Sequence, residues 1–86
     1  MATYSLIVEH DGQTFTTQFS GATVQEAIQS FFAHPVAASA SPALRPEHII
    51  YVRPMEGLVN TWAASAGLDG RYVSITAVRV EEHPSA

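Results

Sequence analysis

The side chains in this sequence that could do chemistry are few and scattered. Four histidines, His10, His34, His48 and His83, show neither the HxH nor the HxxxH spacing that sets two imidazoles on one strand or helix face for a transition metal. Glu9-His10-Asp11 is the densest polar cluster. Neighbouring strand residues point to opposite faces, so Glu9 and His10 would not converge on one atom. The chain has no glycine-rich phosphate loop, no GxSxG elbow and no cysteine nucleophile. Its serines lack a base and an orienting acid at any recognisable spacing. The best candidate ligand site groups Tyr51, Arg53, Glu56, Trp62 and Arg71, because arginine forks and flat aromatic walls suit a carboxylate or a planar ligand. Glu56 and His48 would be the acid-base candidates of an enzyme using that site. Interfaces are enriched in the same residue types, and the favoured reading makes Trp62 and Tyr51 core or dimer-interface residues and the arginines solvated edges. No metal and no cofactor is expected.

The elements that must position these residues follow from periodicity. Tyr4, Leu6 and Val8 alternate with Ser5, Ile7 and Glu9, which predicts a strand over Thr3 to His10. Asp11-Gly12 suits the positive φ angles of a type I′ turn, and Gln13 to Phe19 is the returning strand. A two-residue loop sets Val8 opposite Phe15, Leu6 opposite Thr17 and Tyr4 opposite Phe19. A one-residue slip would carry both phenylalanines to the polar face. Val24, Ala27, Ile28, Phe31 and Phe32 then repeat at helical spacing. Thr23 and Glu26 form a capping box, and Pro35 ends the helix near His34. The helix, at about 23–33, is expected to cover the apolar face of the hairpin.

Residues 36–46 are small and aperiodic, and read as a solvated connecting loop that could contain a helical turn begun at Ser41-Pro42. His48-Ile49-Ile50-Tyr51-Val52 is apolar on both faces and predicts a central strand. Met55-Glu56-Gly57 is a turn. Leu58 to Ala66 reads as a strand, against the alternative of a short helix capped by Asn60 and stopped by Gly67. Leu68-Asp69-Gly70 is a further turn, Arg71 to Val80 a long strand, and Glu81 to Ala86 a fraying tail. The fold class is therefore α+β, in the order β-β-α-β-(β)-β, with a mainly antiparallel sheet and one main helix, in a single domain over residues 1–86.

Composition bounds the function. The chain has 86 residues, is 47% apolar and only 14% charged, and has no cysteine to brace it. A chain of this size buries only roughly 60–65% of its unfolded surface. The formal charge is −4, lysine is absent, and the four arginines begin at Arg45. That balance disfavours nucleic acid as a partner. Leu6-Ile7-Val8 is too short for a signal peptide or a membrane span, so the expectation is a cytoplasmic protein without membrane attachment.

Residues 4–34, from Tyr4-Ser5-Leu6-Ile7-Val8-Glu9 through the hairpin to Thr23-Val24-Gln25-Glu26-Ala27-Ile28, resemble the start of HicB-like antitoxins, in which strand, turn, strand and a T-x-x-E-A helix opening run in this order. The family typically carries a Pro-Gly-Cys-type segment before the helix, where this chain has Phe19-Ser20-Gly21. The second half offers no helix-turn-helix. The resemblance implies a small partner-binding module. The function expected is a non-enzymatic, dimeric interaction module that binds a protein through its sheet. The alternative is a small-ligand protein or minor enzyme with a pocket near Arg53, Arg71, Tyr51 and Trp62.

Overall fold

The computed structural model describes residues 2–39 and 44–80. Five antiparallel strands, β1 (Ala2–His10), β2 (Gln13–Gly21), β3 (Ile49–Pro54), β4 (Thr61–Leu68) and β5 (Arg71–Val80), form one sheet. Its spatial order is β2-β1-β5-β4-β3. The single α-helix, α1 (Val24–Ala33), and two 3-10 turns, Pro35–Ser39 and Pro46–His48, connect β2 to β3.

The first hairpin has the expected register, with Tyr4 opposite Phe19, Leu6 opposite Thr17 and Val8 opposite Phe15. Asp11 and Gly12 hold φ angles of 45° and 75°, the left-handed pair of a type I′ turn that matches the twist of the strands it joins. The second such turn, Asp69-Gly70, with φ angles of 52° and 79°, joins β4 to β5.

α1 begins at a complete capping box. The Glu26 amide donates to Thr23 Oγ1 at 3.2 Å, and the Thr23 amide donates to Glu26 Oε2 at 3.1 Å. At the other end the His34 amide donates to the Phe31 carbonyl at 3.1 Å, and the Val36 amide donates to His34 Nδ1 at 3.1 Å. Thr23→Ala removes the hydroxyl that accepts from the Glu26 amide and leaves the backbone amide of residue 23 to donate to Glu26. It should cost about 1 kcal/mol, read as a lower urea midpoint at unchanged m-value.

Ala27, Ile28, Phe31 and Phe32 of α1 are buried against Tyr4, Leu6 and Val8, with Phe15 and Phe19 packed at the margin. Phe31 has ring centroids of Phe15, Phe19 and Phe32 at 6.2, 5.8 and 5.0 Å. The same side of the sheet continues through Val73, Ile75 and Ala77 of β5 and Ala64 and Ala66 of β4. Ten helical residues cannot span five strands, and the connector supplies the remaining cover. Ala37 and Leu44 are buried in this core, and Val36 packs against it. The solvated loop expected over 36–46 is thus, where described, part of the core's roof. Ser41-Pro42 and the Glu81–Ala86 tail lie outside the described residues.

Two further expectations are resolved. Residues 61–68 are strand rather than helix, but the connection from β3 runs from Met55 to Asn60 and is longer than the Met55-Glu56-Gly57 turn. The Leu58 amide closes on the Met55 carbonyl at 3.2 Å, and the Asn60 carbonyl accepts from the Arg79 amide at 2.9 Å. The strand expected at the centre is instead an edge. β3 borders only β4, the centre is β5, and the register of β3 shifts between Ile49 and Tyr51. Two-sided apolarity in this segment reflects that irregularity, which turns Ile50 out to 58% exposure.

Candidate functional site

Among the described residues every covering element lies on one side of the sheet, and the other side carries none. The registers give its rows directly. One row runs Thr16, Ile7, Thr76, Ala63, Arg53, and the next runs Thr14, Glu9, Ser74, Ser65, Tyr51. A third runs Gln18, Ser5, Val78, Thr61. Ile7, Thr76, Ala63 and Val78 in the middle are half-buried even without a covering layer. The surface is short-chained and, over its centre, uncharged. Glu9 and Arg53 are its only formal charges among the described strand residues, three strand spacings or about 14 Å apart across the sheet.

The sheet divides the five candidate ligand residues. Tyr51 and Arg53 stay together on the open face, with the Arg53 guanidinium carbon 4.5 Å from the Tyr51 ring centroid, a cation–π distance. Trp62 pairs with Pro54 and Ala77 and faces the core, its ring edge-on to Tyr4 at 5.6 Å. Glu56 is exposed in the turn after β3, and Arg71 is exposed beside Leu68 at the far end of β4. Five residues on two faces and at two ends cannot line one pocket. What they leave is a single stacked pair at an exposed edge.

The histidines are similarly occupied. His48 Nδ1 accepts the Arg45 amide at 2.9 Å, and His34 Nδ1 accepts the Val36 amide, so both nitrogens are committed to turn geometry. His34 also lies edge-on to Phe19 at 5.4 Å. His10 packs edge-on to Phe15 at 6.2 Å, and its Nδ1 is buried without a hydrogen-bond partner. His83 is outside the described residues. Among the described residues no group of three His, Cys, Asp or Glu could hold a metal ion.

Two shallow depressions lie on the surface of the described residues. One, of about 370 Å³, lies at the first hairpin tip between Glu9, His10, Asp11, Thr14, Tyr72 and Ser74. The other, of about 400 Å³, lies on the outer side of α1 between Glu26, Gln29, Ser30, Ala33 and Pro46. The first brings carboxylates, an imidazole and hydroxyls to one rim, but His10 Nδ1 is hydrogen-bonded to none of them. Glu26 in the second already holds the helix cap.

Sequence reasoning passed over Tyr72. Its ring lies across Gly67, where an added Cβ would sit 2.6 Å from the ring and 3.2 Å from Ile50 Cδ1. Tyr72 is 63% exposed and Ile50 58%, so the two make an apolar step at one corner of the open face. The signal was present, because a two-residue Asp69-Gly70 turn sets Gly67 opposite Tyr72, and a strand glycine often marks a close approach. No helix among the described residues is long and apolar enough to cross a membrane. Compared with protein-family models, curated proteins and solved structures, the chain matches none.

Proposed function

We propose that this chain is a non-enzymatic interaction module that docks a protein partner on the open face of its sheet. The observation carrying this reading is the one-sided roof. α1 and the connector cover one face of a five-stranded sheet, while the other presents Ile7, Ala63, Thr76 and Val78 as a level, uncharged centre. The apolar corner of Ile50, Tyr51 and Tyr72 and the charge of Arg53 stand at its border. A level centre with aromatic and arginine residues around it has the composition of a recognition surface. At its border Glu9, His10, Asp11 and Ser74 share a depression, but His10 Nδ1 has no hydrogen-bond partner among the described residues, so no base is set on a nucleophile there. A small-ligand protein using Tyr51 and Arg53 is the alternative, and it has only that exposed pair to work with.

A photo-crosslinking amino acid at Thr76 tests the proposal against one at Gln29 on the outer face of α1, each expressed in the native host. Adducts of defined mass at Thr76, absent at Gln29 and lost when Val78→Lys is added, are expected. Equal labelling at the two positions, or none at Thr76, would defeat the reading.

A further inference from the structure

The two edges of the sheet are built differently. β3 is six residues long, is bulged at Ile50 and ends in Pro54. Tyr51 and Arg53 turn their backbone groups toward β4, so the Pro54 nitrogen faces outward, where it has no hydrogen to offer. Short length, a bulge and an outward proline are the devices that stop an edge strand from recruiting another. β2 has none of them. It runs nine residues in unbroken register, and Gln-Thr-Phe-Thr-Thr-Gln-Phe-Ser-Gly contains no charge and no proline.

Which backbone groups β2 leaves free follows from its turn. In a two-residue hairpin His10 and Gln13 exchange hydrogen bonds, so by alternation Phe15, Thr17, Phe19 and Gly21 also bond inward to β1. Thr14, Thr16, Gln18 and Ser20 therefore point their N–H and C=O groups away from the sheet. Among the described residues these four regularly spaced donor-acceptor positions have no strand beside them, on a strand without charge.

We infer that β2 pairs antiparallel with β2 of a second copy of this chain, joining two sheets into one of ten strands. The occupant is set by self-complementarity. With the dyad at Thr17, the outward residues meet only one another, Thr16 facing Gln18 and Thr14 facing Ser20, each pair exchanging two hydrogen bonds. Phe15 then stands opposite Phe19 at the non-hydrogen-bonded sites, where side chains approach closest. Both rings are half-buried in one copy and would cover each other's remaining surface. A charge on the axis would face its own copy, and β2, with no charge at Thr17 or anywhere else, avoids that penalty. The inference rests on the reading of the chain as an interaction module, but it uses the edge rather than the open face.

Light scattering on the full chain at micromolar concentration should give twice 9.3 kDa. Hydrogen exchange should show the amides of Thr14, Thr16, Gln18 and Ser20 as slow as the inward Phe15, Thr17 and Phe19. Thr16→Pro removes only an outward donor and should return the monomer mass with the far-UV spectrum kept. Should that variant misfold, Thr16→Lys with Gln18→Lys sets like charges opposite each other across the dyad and should give the same monomer. A wild-type monomer, or a dimer indifferent to both variants, overturns the inference. A dimer broken by Val78→Lys alone would move the contact to the open face, and crosslinking at Thr76 reports on that surface independently.

Discussion

Phe31→Ala should be the most damaging single truncation in the chain, lowering the melting temperature by roughly 15–30 °C. The Phe31 side chain is fully buried, and three aromatic rings lie around it. Removing a buried phenylalanine ring costs about 3–5 kcal/mol in transfer and cavity terms. The aromatic geometry adds about 0.5–1.5 kcal/mol per pair. A domain of this length has a total stability on the order of 4–13 kcal/mol, so one ring accounts for a large share. Phe15 and Phe19 can close part of the void from the hairpin side, which places the estimate within the usual range rather than beyond it. Thermal unfolding followed by circular dichroism measures the loss. Phe31→Leu, which keeps much of the volume, should recover more than half of it, and equal losses in the two variants would show that ring contacts outweigh cavity formation.

The second large effect comes from adding a single methyl group. Gly21 ends β2 under the first turn of α1, and a Cβ there would lie 2.8 Å from the Ala27 nitrogen and 2.9 Å from both the Thr23 carbonyl oxygen and Glu26 Cβ. Two of these three neighbours are backbone atoms of the cap and cannot rotate away. Gly21→Ala should therefore destabilise by about 1–3 kcal/mol through overpacking, against a gain of about 0.4–1 kcal/mol from the stiffer unfolded chain. Urea unfolding gives the net value, and a stability equal to wild type would mean that α1 can lift off the sheet end without loss. Gly12→Ala is the informative contrast, since nothing lies within 4 Å of the added carbon there and its cost is purely the left-handed φ.

Much of the first half is legible in the sequence because independent signals coincide there. Asp11-Gly12 fixes the register that the alternation of Tyr4, Leu6 and Val8 also demands, and Thr23 with Glu26 starts the helix where its apolar spacing begins. The second half lacks that agreement. Ile49 to Val52 offers apolar or aromatic side chains at every position, so composition places it at the centre, while the edge position follows from a bulge that no single residue announces. Residue type groups Trp62 with Tyr51 and Arg53, yet pleat parity decides which face it takes. That parity depends on the length of the loop from Met55 to Asn60, since one residue more or less flips a strand. The connector's burial of Ala37 and Leu44 was hidden for a related reason. Small aperiodic residues carry no face, and only the width of the sheet reveals that the helix alone is too narrow to cover it.

The place of β5 between β1 and β4 also governs how the molecule comes to exist. Thr3 is paired with Val80, nearly the full described length away. Until the last strand docks, the chain holds only two-stranded ribbons, each marginal alone. Local turns form early, but the contacts that join the halves close the longest loop in the chain. Folding should belong to the slow, high contact-order class, on the order of milliseconds to seconds. The interval before β5 arrives leaves β1 and β4 each with an unpaired side. That interval adds two further open edges to the β2 edge that the finished sheet keeps, and with them a crowding hazard.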